Sequence, residues 1–253
     1  MITSKSPDSW RNLQDQVAEI LSQCGFHVEV EKTVRTSRGN VELDGYAEEE
    51  IKGRKYITVC ECKYWKKNIP QEVVHSFRTV LHDLGANVGF VISLNGFQSG
   101  AIKAAEFTNI ELLTWEDFQN KFEQSWLESY FSEKIAKAVD PLFTYTEPIS
   151  TAVFKMAKQL SEDEENQFIE LKEKYEVFGY LLMKFTHYVR IFGSEPYPEL
   201  PIINHIEGKE ELFKNIPQEI LAAESYQDFY DKAVTHGLHA IEEFRNLCQK
   251  DEV

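Results

Sequence analysis

Apolar residues Trp10, Leu13, Val17, Ile20, Leu21 and Cys24 recur at helical spacing and stop at Gly25, which predicts an amphipathic helix with Ser6 as N-cap and Pro7 at its first position. The pattern then changes to alternation. Val28 and Val30 interleave with Glu29 and Glu31, so residues 27–34 read as a strand, and 41–47 read as another after the turn-like 36–40. Residues 56–63 form a third, reached through Lys52-Gly53, a two-residue hairpin turn. Pro70 opens a second helix with Val73, Val74, Phe77, Val80, Leu81 and Leu84 on one side, ending at Gly85. A buried strand at 89–94, a helix at 99–107 and a short strand at 110–113 complete the order αβββαβαβ. Strand, helix and strand in that succession imply a right-handed parallel crossover, hence an α/β domain with a mixed sheet.

Beyond Trp115 the pattern is helical, with interruptions at Asp140-Pro141, at 193–201 and near Pro217. These features divide the chain into an α/β domain at 1–118 and an all-α helical domain at 119–253. Ser161 to Glu164 is a capping box, and Phe168, Leu171, Tyr175, Phe178, Leu182, Phe185, Val189 and Phe192 follow at steps of three and four. That is a heptad seam on one long helix at 161–192. It is either buried within its own bundle or the interface of a homodimer or protein partner.

With 253 residues, 42% hydrophobic and 27% charged, and no low-complexity tract or long apolar run, the composition excludes disorder, collagen and membrane spans. The first residues lack a signal-peptide pattern, so a cytoplasmic location is expected. Cys24, Cys60, Cys62 and Cys248 have no CxxC spacing, which speaks for reduced thiols rather than disulfides or zinc. The net charge of −15 is uneven: residues 1–125 hold 14 Lys+Arg against 18 Asp+Glu, residues 126–253 hold 13 against 24. A basic cluster survives in the first part, including Lys32, Arg35, Arg38, Lys63, Lys66 and Lys67.

Chemistry concentrates at Asp44 and Cys60-Glu61-Cys62-Lys63. Alternation along a strand puts Glu61 and Lys63 on one face and both thiols on the other. If Lys52-Gly53 is the turn, Asp44 lies opposite Glu61. Opposed acids are destabilising unless a cation held by hard oxygens compensates them. Asp44 and Glu61 would hold Mg²⁺ with the Cys62 backbone carbonyl, and Lys63 would orient or help deprotonate a metal-bound water; the chemistry is phosphodiester hydrolysis. Lys66, Lys67, Arg35 and Arg38 would hold the polyanionic backbone. The bland alternative is a solvated strand face neutralised by Lys63.

The stretch from Trp10 to Phe118 resembles the Mrr-type restriction-endonuclease-like nucleases of the PD-(D/E)xK superfamily. The likeness lies in Val17-Ala18-Glu19-Ile20-Leu21 with Cys24-Gly25-Phe26, in Gly39 to Asp44, in Glu61-Cys62-Lys63 with Tyr64, and in Gly89 to Ser93 followed by Phe97 and Ala101. The resemblance implies a restriction-endonuclease-like fold and a metal-dependent endonuclease acting on DNA, often in defence against foreign DNA, with Mg²⁺ or Mn²⁺. By position, Asp44 and Glu61 match the metal-binding acids and Lys63 the catalytic lysine. Such domains often carry another Glu in the first helix; Gln14 stands there, a candidate accessory residue whose substitution bears on a second metal.

Competing readings are a non-catalytic DNA- or protein-binding module on a nuclease fold, and a junction resolvase or RNA nuclease, since a metal site does not itself choose the sugar. His205, His236 and His239 are read as structural or surface histidines, and Gln71, His75, Arg78 and His82 as a solvated helix face.

Overall fold

The computed structural model describes residues 1–147, 160–190 and 195–248. Contacts divide them into one unit of Lys5–Ser129 and a second of Met1–Ser4 with Tyr130–Val253. In the first unit α1 (Trp10–Gln23) precedes β1 (His27–Thr36), β2 (Gly39–Ile51) and β3 (Arg54–Lys63). Then come α2 (Gln71–Leu84), β4 (Val88–Ser93), α3 (Ser99–Ala105), β5 (Ile110–Thr114) and α4 (Trp115–Trp126). The strands form one mixed sheet in order β1-β2-β3-β4-β5, antiparallel through β3 and parallel from β3 to β5.

Helix α1 starts later than the Ser6-Pro7 signal suggests. Its N-cap is Ser9, whose side chain accepts from the Asn12 N–H, leaving Ser6 and Pro7 outside the helix. Lys52 and Gly53 both have positive φ, the conformation of a type I′ hairpin turn, and the β2–β3 register runs from Ile51 opposite Arg54 to Gly45 opposite Cys60. Helix α2 ends on Gly85 in the left-handed conformation.

One face of the sheet buries Tyr46, Val59 and Val91 with Val74, Phe77 and Leu81 of α2. At Gly89 the sheet takes α2 without room for a side chain: a Cβ there would lie 2.4 Å from Leu81 Cδ1 and 2.6 Å from Phe77 Cε1. On the other face Phe90 meets Phe118 and Phe122 of α4 edge-on, and Phe122 also meets Phe26. The expected junction at 118/119 therefore falls inside α4, whose aromatic face packs within the sheet unit.

The second unit is helical. After a π-helical turn at Leu127–Phe131 its elements are α5 (Ser132–Thr146), α6 (Glu162–Met183), α7 (His187–Arg190), α8 (Gln218–Leu221) and α9 (Tyr226–Cys248). The break expected at Asp140-Pro141 does not occur: α5 runs through Pro141, held by buried Ile135, Val139, Leu142 and Phe143 on its core face. Burial of those side chains offsets a proline cost of roughly 3 kcal/mol. Capping by Ser161 and Glu164 starts α6 as expected, yet the helix stops at Met183 rather than continuing to 192. Phe192 lies outside the described residues. The seam is covered by the unit's own side chains: Tyr145 stacks on Phe244 at 4.7 Å, Phe168 and Tyr175 meet the same ring, and Phe185 meets Phe229. These contacts make it a bundle core, the first of the two readings of the seam. Among the described residues no helix is long and apolar enough to cross a membrane.

Candidate active site

Gln14 interrupts the apolar stripe of α1 formed by Leu13, Val17, Ile20 and Leu21, and it is buried with them at 1% exposure. A buried amide is costly unless bonded. Its Nε2 donates to Asp44 Oδ1 at 2.9 Å, but among the described residues its Oε1 has no partner. Because a carboxylate only accepts, the amide nitrogen must face Asp44, and the orphan is necessarily the carbonyl oxygen.

Asp44 sits one residue beyond Gly45↔Cys60, the last backbone pair between β2 and β3. There its Oδ2 accepts the backbone N–H of Cys62 at 2.7 Å. Close strand approach sets up this exchange: a Cβ on Gly45 would lie 3.2 Å from the Cys60 Cβ. Two residues of β3 then point to the same face, Glu61 and Lys63, joined as an ion pair with 26% and 19% of their side chains exposed. Burial pushes the Glu61 carboxyl above the usual carboxylate range; Lys63 opposes that rise and Asp44 adds to it.

Cys60 and Cys62 alternate away and are buried. Burial, with Asp44 second, pushes the Cys60 thiol up to about 12, and burial also raises Cys62, so neither offers a ready thiolate. All four cysteines are free.

The expected phosphate-binding residues divide. Lys66 and Lys67 are exposed directly after β3. Arg35 pairs across the β1–β2 hairpin with Asn40, and Arg38 at its turn forms an ion pair with Asp83 of α2 at 3.3 Å. Among the described residues neither arginine bonds to Asp44, Glu61 or Lys63. On α2, Arg78 donates to the Ala104 carbonyl of α3, a structural use of that polar face.

Among the described residues no three His, Cys, Asp or Glu side chains gather as a metal cluster. What Asp44, Glu61, the Cys62 carbonyl and the Gln14 carbonyl do offer is a set of hard oxygens. That donor set fits Mg²⁺, which takes one or two carboxylates and retains several waters. The unpartnered Gln14 Oε1, tied through its own amide to Asp44, is a buried acceptor that a cation or its bound water would satisfy.

Trp65 and Asn95 are the additions that sequence reading missed. Trp65 is 38% exposed, and the Lys63 ammonium lies 5.9 Å from its ring centre. Asn95 donates to the Trp65 carbonyl at 3.2 Å. The signal available was the aromatic residue embedded in Lys63-Tyr64-Trp65-Lys66-Lys67.

No curated protein matches the chain. A solved structure, "Crystal Structure of Protein of Unknown Function AF1548", is similar at 17% identity over 66% of this chain and 98% of its own, with a TM-score of 0.39. Residues 8–122 match the restriction endonuclease family model Mrr_cat, and for that segment the resemblance to Mrr-type restriction-endonuclease-like nucleases is thereby shown.

Proposed function

We propose that the chain is a Mg²⁺-dependent endodeoxyribonuclease hydrolysing DNA phosphodiester bonds. The observation that carries this reading is the meeting of Gln14, Asp44, Glu61 and Lys63 at the end of β3, inside the segment that matches a restriction endonuclease. Asp44 and Glu61, with the Cys62 carbonyl, would hold Mg²⁺, or Mn²⁺ in its place. Once bound, the cation lowers the pKa of a coordinated water and offsets charge developing on a phosphoryl oxygen.

The remaining work belongs to the chain's own groups. Gln14 and the Cys62 N–H hold both oxygens of Asp44 from opposite sides and fix its plane. Glu61 anchors Lys63 through their ion pair, so that its ammonium can orient the attacking water or stabilise phosphoryl oxygens. Exposed Lys66 and Lys67, with Arg35 and Arg38 from the β1–β2 hairpin, would take adjoining phosphates. The acidic helical domain is suited to sensing, regulation or assembly rather than to clamping DNA. A role in defence against foreign DNA follows from the resemblance.

The test is incubation of plasmid, linear and single-stranded DNA and structured RNA with Mg²⁺, Mn²⁺ or EDTA, using wild type, Asp44→Ala and Lys63→Ala. Metal-dependent DNA cleavage, absent in both variants, is expected. Absence of both cleavage and metal binding would favour a non-catalytic binding module, and preferential cutting of RNA or of branched DNA would move the substrate class.

A further inference from the structure

We infer that Trp65 is a stacking platform for an unpaired nucleobase, so that the strand entering the candidate active site is presented as single-stranded DNA. The inference rests on the nuclease reading and deepens it by naming the substrate form.

Its position comes first. Trp65 follows Lys63 by two residues, and the Lys63 ammonium is 5.9 Å from the ring centre. A group stacked on that ring therefore lies within one nucleotide's reach of the phosphate that Lys63 would contact.

Exposure of the ring is built in. The loop that carries it is fastened to the segment after β4: Asn95 Nδ2 donates to the Trp65 carbonyl at 3.2 Å, and Asn68 Nδ2 to the Phe97 carbonyl at 3.3 Å. The Ile69 N–H donates to Gly96 and the Gln98 N–H to Ile69, each at 3.0 Å. With the backbone held, the ring remains 38% exposed, and among the described residues no other aromatic ring packs on it. An exposed aromatic side chain on a held backbone, beside a cation, loses less entropy when a flat partner covers it than one on a loose loop.

Charge selects the partner. Lys66 and Lys67 are exposed and have no ion-pair partner among the described residues, in a chain whose net charge is −15. Two unpaired cations directly after an exposed indole, with the ion-paired Lys63 before it, match a strand that alternates phosphates with flat bases. Bases in a continuous duplex have both faces covered by stacked neighbours, so only an unpaired base can lie on Trp65. A ring serving only to shelter Lys63 would make no distinction between strand forms.

Fluorescence anisotropy in EDTA separates these cases, using an end-labelled oligo-dT of about 15 nucleotides and a blunt duplex of the same length. Trp65→Leu should weaken oligo-dT binding on the order of 10- to 100-fold while changing duplex binding less than about threefold. Trp65→Phe should stay within a few-fold of wild type for binding, yet lose the quenching of tryptophan emission by oligo-dT. Trp10→Leu, at the other exposed tryptophan of this unit, should change neither affinity. Equal loss on both nucleic acids in Trp65→Leu, or no loss on either, would overturn the platform and leave the nuclease reading standing. Failure of wild type to bind either nucleic acid would overturn the platform, whereas the nuclease reading falls only if metal-dependent cleavage and metal binding are both absent.

Discussion

The Asp44 carboxylate accepts the backbone N–H of Cys62 at 2.7 Å, so a side chain supplies the acceptor at the point where β2 and β3 cease to pair. The β2–β3 pairing ends one step before Asp44 and Glu61 would face each other, while β3 stays paired to β4 through Lys63. Position 44 thus has a structural part and, on the proposed nuclease reading, a chemical one. Asp44→Asn retains an oxygen for the Cys62 N–H but weakens cation binding, whereas Asp44→Ala leaves a buried N–H without its partner. Both should lower Mg²⁺-dependent cleavage by more than about 100-fold. Only the alanine variant should also lose about 1–3 kcal/mol of stability in urea unfolding. Equal stability losses would show that the bond to Cys62 contributes nothing.

Gln14 separates the same two parts from the other side. Replacing its amide by a carboxylate sets two negative groups together where Nε2 now donates to Asp44. In the absence of metal Gln14→Glu should therefore melt at a lower temperature than wild type. With Mg²⁺ the added charge should raise affinity by about tenfold in calorimetric titration, because cation affinity follows the number of charged ligands. A melting temperature unchanged without metal would place the two side chains farther apart than a hydrogen bond.

The mixed sheet was legible because its elements carry local signals: alternation in β1, Lys52-Gly53 with both φ angles positive, Gly85 closing α2. The pleat also fixed which side of β3 holds Glu61 and Lys63. Where sequence reading fell short, the deciding interactions were distant ones. Nothing local to Pro141 announces that core contacts keep α5 continuous, and nothing local to Met183 distinguishes the end of α6 from a seam that continues by spacing alone. At the site, the hairpin register could be counted, but the capture of a Cys62 N–H by Asp44 and the grip of Asn95 on the Trp65 loop join segments 18 and 30 residues apart.

Gly89 tests the packing that positions β3 and β4 together. A methyl group there would lie 2.4 Å from Leu81 and 2.6 Å from Phe77, both on the buried face of α2. Neither side chain can withdraw without opening the core. Gly89→Ala should cost about 1–3 kcal/mol in urea unfolding. Leu81→Ala combined with Gly89→Ala should recover part of the loss attributable to the clash, a non-additivity that a double-mutant cycle would read.

Acid sensitivity of the helical unit should trace in part to His236 on α9. Its ring meets Phe178 edge-on at 4.8 Å and Tyr175 at 5.5 Å, and its Nε2 is buried without a partner among the described residues. Burial is the first cause that lowers its pKa, followed by Lys174 and His239, against the smaller opposing effects of Glu243 and Glu219. A histidine whose folded value is depressed binds a proton more readily when unfolded. Its contribution to stability is present above the ordinary imidazole value of about 6.5 and is lost as pH falls through that value toward the folded one. Unfolding free energies followed by far-ultraviolet circular dichroism at about pH 7.5 and pH 5 should therefore drop more for wild type than for His236→Gln, which has no proton to gain. An equal drop in the two proteins would assign the acid sensitivity to other groups and leave His236 an ordinary aromatic contact.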